Sequence, residues 1–207
     1  MNIGILGAGN IGSTAARLFA AAGHSVRLAN SRGPASLAKL VEGLGPGVVA
    51  STPEDAVAFG DLVLIAVPWT AKEEAIPEAG PYEDKIVVDA MNPYTEDFEI
   101  EDLGERTSSE ITALLVPGAR LVKAFNTIYF RRLATEGKPK GAKGRLAIPV
   151  ASDDAEAKAV VMALIDQIGF DAIDAGSLAA GRRQQPGTPV YNQPLDAKEA
   201  QAALASA

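Results

Sequence analysis

No cysteine occurs among the 207 residues, which removes disulfides, thiolate nucleophiles and Cys-ligated zinc together. A single histidine, His24, excludes a His-based metal triad, and a Ser-His-Asp triad would have to be built on it. Long apolar runs are missing too. The longest uninterrupted aliphatic stretch, Leu62 to Val67, is six residues, against the roughly 20 needed to cross a bilayer. The N-terminus has no basic region followed by a long apolar segment, and Asn2 to Leu6 reads instead as a buried strand. Met1 is therefore expected to begin the mature protein, and the chain to stay in the cytoplasm, where an absence of cysteine fits a reducing compartment. Basic residues are in deficit, 19 against 26 acids for a net charge of −7. That balance argues against a nucleic-acid partner and against an anionic membrane surface.

What the chain does have is small apolar side chains: 47% of residues are hydrophobic and 38 are alanine. Its length suits one domain, or one domain plus a small lobe. Short apolar runs alternate with helix-period segments. Strands are expected at Ile3–Leu6, Ser25–Ala29, Val48–Ser51, Asp61–Val67, Lys85–Asp89, Leu121–Phe125, Leu146–Ala151 and Phe170–Asp174. Helices are expected between them at Asn10–Ala22, Ser36–Leu44, Pro53–Phe59, Thr70–Ala79, Ser108–Leu115 and Asp154–Ile168. This alternation predicts an α/β fold: a Rossmann-type, doubly wound parallel sheet. We expect residues 1–127 to form that domain and 128–183 a small C-terminal α/β lobe. Residues 184–207, with Pro186, Pro189 and Pro194, read as an extended tail ending in a helix near Ala197–Ser206.

Two charge runs interrupt the rhythm. Glu96–Glu110 holds seven acids and one arginine, read as a solvated loop rather than a metal site. Arg131–Arg145 holds six bases and one acid. With Arg182 and Arg183 it could hold the anionic tail of a ligand. Equally, it could be a solvated loop or pair with the acidic run of a neighbouring subunit.

Gly7-Ala8-Gly9-Asn10-Ile11-Gly12 forms a G-x-G-x-x-G leading straight from the first strand into the first helix. In such a turn the first glycine permits the bend, the second lets backbone approach a pyrophosphate, and the third lets helix pack on strand. The pyrophosphate then rests on the helix N-terminus. The competing reading is a structural glycine turn without ligand, but the placement after a first strand and before a second favours the dinucleotide. At the end of the second strand an NAD site normally carries an acid for the ribose hydroxyl. Here the residues are Asn30-Ser31-Arg32. A hydroxyl and a guanidinium suit a 2′-phosphate, so NADP(H) is expected.

Later strand ends offer Ala66-Val67-Pro68-Trp69, then Asp89-Ala90-Met91-Asn92-Pro93-Tyr94, and Lys123-Ala124-Phe125-Asn126-Thr127. Ala66, Val67, Pro68, Asn92, Ala124, Asn126 and Thr127 join the turn residues as candidate cofactor contacts. Asp89 and Lys123 are the only charged members of the set, and either could be structural. No metal ligands and no acid–base pair stand out, and no proton donor. Hydride transfer between two cofactors asks mainly for distance, orientation and exclusion of water.

With these motifs assembled, the sequence resembles the coenzyme F-420-dependent NADP oxidoreductases, and the cytoplasmic reductase domain of the mammalian transmembrane metalloreductases. The resemblance runs from the glycine turn through Asn30-Ser31-Arg32, Val67-Pro68, Lys123-Ala124-Phe125-Asn126-Thr127-Ile128 and Val150-Ala151-Ser152-Asp153-Asp154 to Asp174-Ala175-Gly176-Ser177-Leu178 and Arg182. It implies NADP(H) on the Rossmann part, a deazaflavin (coenzyme F-420) or flavin such as FMN in a cleft completed by the lobe, and direct hydride transfer between them. It departs from archaeal members at Ser36, where they often have a basic residue, and at Asn126, where they often have histidine. Two other readings stay open: a non-catalytic sensor of NADPH, and a reductase of a small carbonyl or imine. Small molecules are the expected partners, with a homodimer an open expectation.

Overall fold

The computed structural model describes residues 1–207, the side chains of residues 77–79 excepted. Eight strands form one sheet: β1 (Asn2–Leu6), β2 (Ser25–Ala29), β3 (Val48–Ser51), β4 (Leu62–Ile65), β5 (Ile86–Asp89), β6 (Arg120–Lys123), β7 (Ala147–Ala151) and β8 (Asp171–Gly176). Their order is β3-β2-β1-β4-β5-β6-β7-β8. The first six follow the doubly wound order, reversing direction of travel between β1 and β4. Each pair among these six is parallel. Helices connect them: α1 (Asn10–Ala21), α2 (Ala38–Glu42), α3 (Pro53–Phe59), α4 (Lys72–Ala79) and α5 (Ser108–Leu115).

The sheet is not parallel throughout. β7 runs antiparallel to β6, joined in register only at Lys123 with Ala151, and β8 then runs parallel to β7. A buried apolar run carries no direction, which is why the sequence pattern missed the reversal. The chain also forms α6 (Phe130–Thr135) inside the basic run, where Leu133 is buried and the charged neighbours stay outside.

Apolar clusters cover both faces. On one, Ala15, Ala16 and Phe19 of α1 pack with Val26, Leu28, Val161 and Leu164; on the other, Ala56 and Val57 of α3 pack with Val63, Ile65 and Ile76. Alanine on the inner face of α1 lets the helix lie close to the strands. The tail is seated rather than loose. Val190, together with Ala200 and Leu204 of α8 (Ala197–Ala205), covers Ala151, Ile173 and Ala175 in a third cluster.

With so short a β6–β7 ladder, apolar packing in the first cluster and polar contacts hold the last unit. Asp154 caps α7 (Ala155–Gln167) by accepting from the Ala157 N–H, and takes two hydrogen bonds from Arg120 at 2.6 and 2.9 Å. Arg145, only 2% exposed, bridges Asp166 and Asp171. The Arg120 guanidinium holds the Asp154 carboxyl well below the usual carboxylate range. A carboxyl whose folded pKa is depressed gives stability that is present above its unfolded pKa, near 3.9, and lost as the pH falls toward the folded value. Asparagine keeps the cap and removes the charge. Asp154→Asn should therefore lower Tm most at neutral pH, and the gap from wild type should close below about pH 4. A gap unchanged down to acid pH would reduce Asp154 to a neutral cap.

Candidate functional site

The carboxyl ends of the strands bring the sequence-chosen residues into one row. Gly7 N–H donates to Ala29 O at 3.0 Å, Ala66 N–H to Leu6 O at 2.8 Å and Ala90 N–H to Ile65 O at 3.0 Å, so the ends of β2, β1, β4 and β5 are stitched side by side. Ala124 N–H continues the row, donating to Asp89 O at 3.2 Å.

The three glycines of the turn have different grounds. Gly7 has φ +102°, and a Cβ there would lie 2.3 Å from Ala66 O. A Cβ at Gly12 would lie 1.9 Å from Gly7 O. Both are required by the crossing of β1, α1 and β4. Gly9 is required by neither conformation nor packing. Its φ of −78° is open to any residue, and a Cβ would meet nothing within 4 Å. Gly9 and Asn10 are exposed, and no side chain caps α1, so its first-turn N–H groups face open space. A turn of this shape fits a pyrophosphate laid against bare backbone.

Beyond β2, the loop is fixed by its own polar side chains. Asn30 Oδ1 accepts from Arg32 N–H at 3.0 Å, and Asn30 Nδ2 donates to Ser36 Oγ at 3.0 Å. Ser36, whose hydroxyl also donates to Gly33 O, thus shapes the loop. Ser31 and the Arg32 guanidinium are exposed, and Arg32 has no carboxylate within ion-pair distance among the described residues.

Asp89 and Lys123 pair with each other. Lys123 Nζ reaches Asp89 Oδ2 at 3.1 Å, Met91 O at 2.6 Å and Ser108 Oγ at 3.2 Å, which uses all three donors. Asp89 accepts further from Met91 N–H and from the hydroxyls of Ser109 and Thr112. Burial pushes the Lys123 ammonium down from its ordinary value, opposed by the Asp89 charge. Neither group is accessible, so the pair holds β5 and β6 and the start of α5 together beneath the site.

Above it lies a knot of amides that sequence reasoning found only in part. Asn126 donates to Asn92 Oδ1 at 3.1 Å and Gln184 O at 2.7 Å, and its Oδ1 accepts from Gln184 Nε2 at 3.0 Å. Asn92 donates to Asn126 O at 2.9 Å and to the Tyr191 hydroxyl, itself 3.3 Å from the Tyr94 hydroxyl. Asn192 N–H donates to Thr127 O at 2.8 Å. Ala124 is fully buried, and Asn126 and Thr127 are nearly so, placing them in the frame of the site rather than on its surface. Gln184 and Tyr191 lie in a stretch whose prolines suggested only a tail, and no motif marked them.

The basic run has local partners. Arg132 pairs with Glu136, Lys140 and Arg145 with Asp166, and Lys138 Nζ donates to Lys143 O and Gly144 O. Arg17, in the middle of α1, donates to Ala134 O at 2.8 Å, which sets this run against the flank of α1. Arg182 bonds Glu105 O and Arg183 bonds Ala175 O. Arg182, Arg183 and Lys138 thus hold loops through carbonyl oxygens, and Arg131 and Lys143 have no carboxylate within ion-pair distance among the described residues. The acidic run is mostly exposed up to Glu105, then enters α5 through the Thr107–Glu110 capping box. Among the described residues, no group of three or more potential metal-binding side chains occurs and no helix is long and apolar enough to cross a membrane.

The buried pair makes a sharp prediction. Lys123→Ala leaves the Asp89 carboxylate buried and unpaired and should destabilise by about 3–5 kcal/mol in chemical denaturation. The double variant Asp89→Asn with Lys123→Met should recover most of that. Equal losses in both would show that packing, not charge, governs this spot.

Residues 2–93 match the family described as NADP oxidoreductase, coenzyme F-420-dependent. Among curated proteins, the rat metalloreductase STEAP3 is 33% identical over 182 residues, 87% of this chain, and the chain spans 35% of that protein's length. Among solved structures, a hypothetical protein from Sinorhizobium meliloti is 38% identical with a TM-score of 0.84, covering 93% of both chains. A protein from an Arthrobacter species named for F-420-dependent NADP reduction is 29% identical with a TM-score of 0.77, covering 88% of this chain and 87% of its own. Residues 2–93 thus belong to the family of NADP oxidoreductases named for coenzyme F-420.

Proposed function

We propose that this chain binds NADPH across the ends of β1, β2 and β4 and exchanges hydride with a deazaflavin or flavin ring seated over the ends of β5 and β6. The observation that carries this reading is Gly9. It is the one glycine of the turn that no conformation and no neighbour requires, and a ligand backbone pressed against the turn supplies the missing reason. In this reading residues 1–127 hold the dinucleotide, residues 128–183 complete the acceptor cleft and residues 184–207 close it.

The residues divide the work. The Gly7–Gly12 backbone and the first turn of α1 take the pyrophosphate. Ser31 and Arg32 take the 2′-phosphate, since no acid stands at the end of β2 to repel it. Ala66, Val67 and Pro68 offer a low wall beside the turn for the ribose and nicotinamide. The bound nicotinamide supplies the hydride carrier; the protein supplies orientation and a dry surface. Asn92 and Asn126 fix the far wall through their shared hydrogen bonds.

Incubating the protein with NADPH and separate F-420, FMN, riboflavin and carbonyl or imine acceptors tests the reading. Oxidation with the deazaflavin or a flavin supports it. Oxidation with only a carbonyl or imine, or tight binding with no turnover, would overturn it. Arg32→Ala should weaken NADPH binding by about 10–100-fold, as for a lost charged hydrogen bond, and leave NADH binding unchanged. Equal weakening of both would contradict the 2′-phosphate assignment. Gly9→Val should abolish NADPH binding at an unchanged Tm, because its side chain enters open space rather than the core. Normal NADPH affinity in that variant would remove the turn from the site.

A further inference from the structure

Hydride transfer is only half of the reduction of a ring or a C=X bond. Two electrons and one hydrogen nucleus move with the hydride, and the reduced acceptor must still gain a second proton at the heteroatom that takes up the charge. The sequence shows no donor for it. The structure brings two phenols together beyond the end of β5. Tyr94 follows the end of β5 and Tyr191 comes from the tail, 97 positions later. Their hydroxyls lie 3.3 Å apart and their rings meet at a centroid distance of 6.5 Å. Asn92 Nδ2, at 3.4 Å, also points a donor at the Tyr191 oxygen. Both tyrosines are only partly buried, unlike the sealed Asp89–Lys123 pair below.

We propose that Tyr191 and Tyr94 form a proton relay serving the acceptor in the site described above, an inference that rests on that reading. The acceptor ring gains the hydride from the dihydronicotinamide C–H bond and the proton from the Tyr191 O–H bond. The dinucleotide is oxidised and the acceptor reduced. The Tyr191 oxygen, left anionic, takes the proton of Tyr94, and Tyr94 is refilled from water, so one solvent proton enters per turnover. While the anion lasts, the Tyr94 hydroxyl and the Asn92 amide are the donors facing it.

The tail is what makes this arrangement. Val190 is 3% exposed in the third apolar cluster, and Asn192 N–H is tied to Thr127 O. These two anchors flank Tyr191 and do not involve its hydroxyl, so Tyr191→Phe should leave the tail in place. Burial, with Tyr94 second, holds the Tyr191 phenol above its ordinary value, and like any phenol it is protonated at neutral pH.

The experiment uses the full chain and both single Phe variants. With an acceptor that the wild type reduces, Tyr191→Phe should lower kcat by about 10²-fold, the lower end of general-acid contributions. KM for the acceptor and the dissociation constant for NADPH should not change. The wild type should show a normal solvent deuterium effect on the chemical step, and the variant a different one. Ultraviolet titration of the ligand-free protein provides a readout independent of turnover. Burial raises the Tyr82 phenol as well, so of two phenol transitions above the ordinary range one should vanish in Tyr191→Phe, and that one should shift in Tyr94→Phe. Unimpaired kcat in Tyr191→Phe, with an active wild type, would overturn the relay alone, as would a titration indifferent to Tyr94→Phe. A wild type that binds NADPH but reduces none of the acceptors would overturn the functional reading and the relay with it.

Discussion

Everything in this fold that concerns a ligand depends on how closely α1 crosses the end of β1. Side chains are excluded at Gly12 and Gly7, where a Cβ would lie 1.9 Å and 2.3 Å from backbone oxygens of Gly7 and Ala66. The crossing sets the first turn of α1 directly above the strand ends, with its N–H groups bare. Alanine at positions 15 and 16 keeps the rest of the helix near the sheet, and Phe19, at its far end, meets Phe125 edge-on at 6.1 Å. Such an aromatic contact adds about 0.5–1.5 kcal/mol beyond its buried area. It also ties the first helix to the end of β6, where Phe125 sits at φ +65°. A bulky residue there is strained, and the strain falls where the chain turns to present Asn126.

Below that surface, charge holds the frame. Asp89 and Lys123 lie at the ends of adjacent strands and are saturated with partners, so they fix a geometry and take no part in chemistry. At the other edge, the β7–α7–β8 unit meets β6 at a single strand-register pair; apolar packing and Arg120–Asp154 tie it to the rest, and Arg145 between two aspartates ties it together internally. Part of the local positive charge, on Arg132, Lys140 and Arg145, is paired with carboxylates. The exposed Arg32 follows the end of β2, next to the glycine turn.

The positions of all eight strands were legible in the sequence, because each is a short apolar run set off by glycine, proline or a helical pattern. The glycine turn and the Asn30-Ser31-Arg32 loop were legible for the same local reason. Direction was not: the reversal of β7 is decided by packing across the sheet, and an apolar run reads alike both ways. α6 was hidden because one buried leucine among charged neighbours leaves almost no periodic signal. The amide knot and the tyrosine pair were invisible on other grounds. Asn92 and Asn126 lie in recognisable segments, but Gln184 and Tyr191 reach them from residues 58 and 99 positions away. Proline-rich spacing suggested a free tail, whereas Val190 and the α8 residues bury it.

The central claim is that a dinucleotide lies along the strand ends, over the bare turn. Hydrogen exchange measured on the ligand-free and the NADPH-saturated protein tests it most directly. The account predicts new protection in the amides of residues 7–13, 30–36 and 66–68, with little change across residues 137–145. Protection confined to residues 137–145, or saturation with NADPH that leaves the glycine turn exchanging as before, would contradict it.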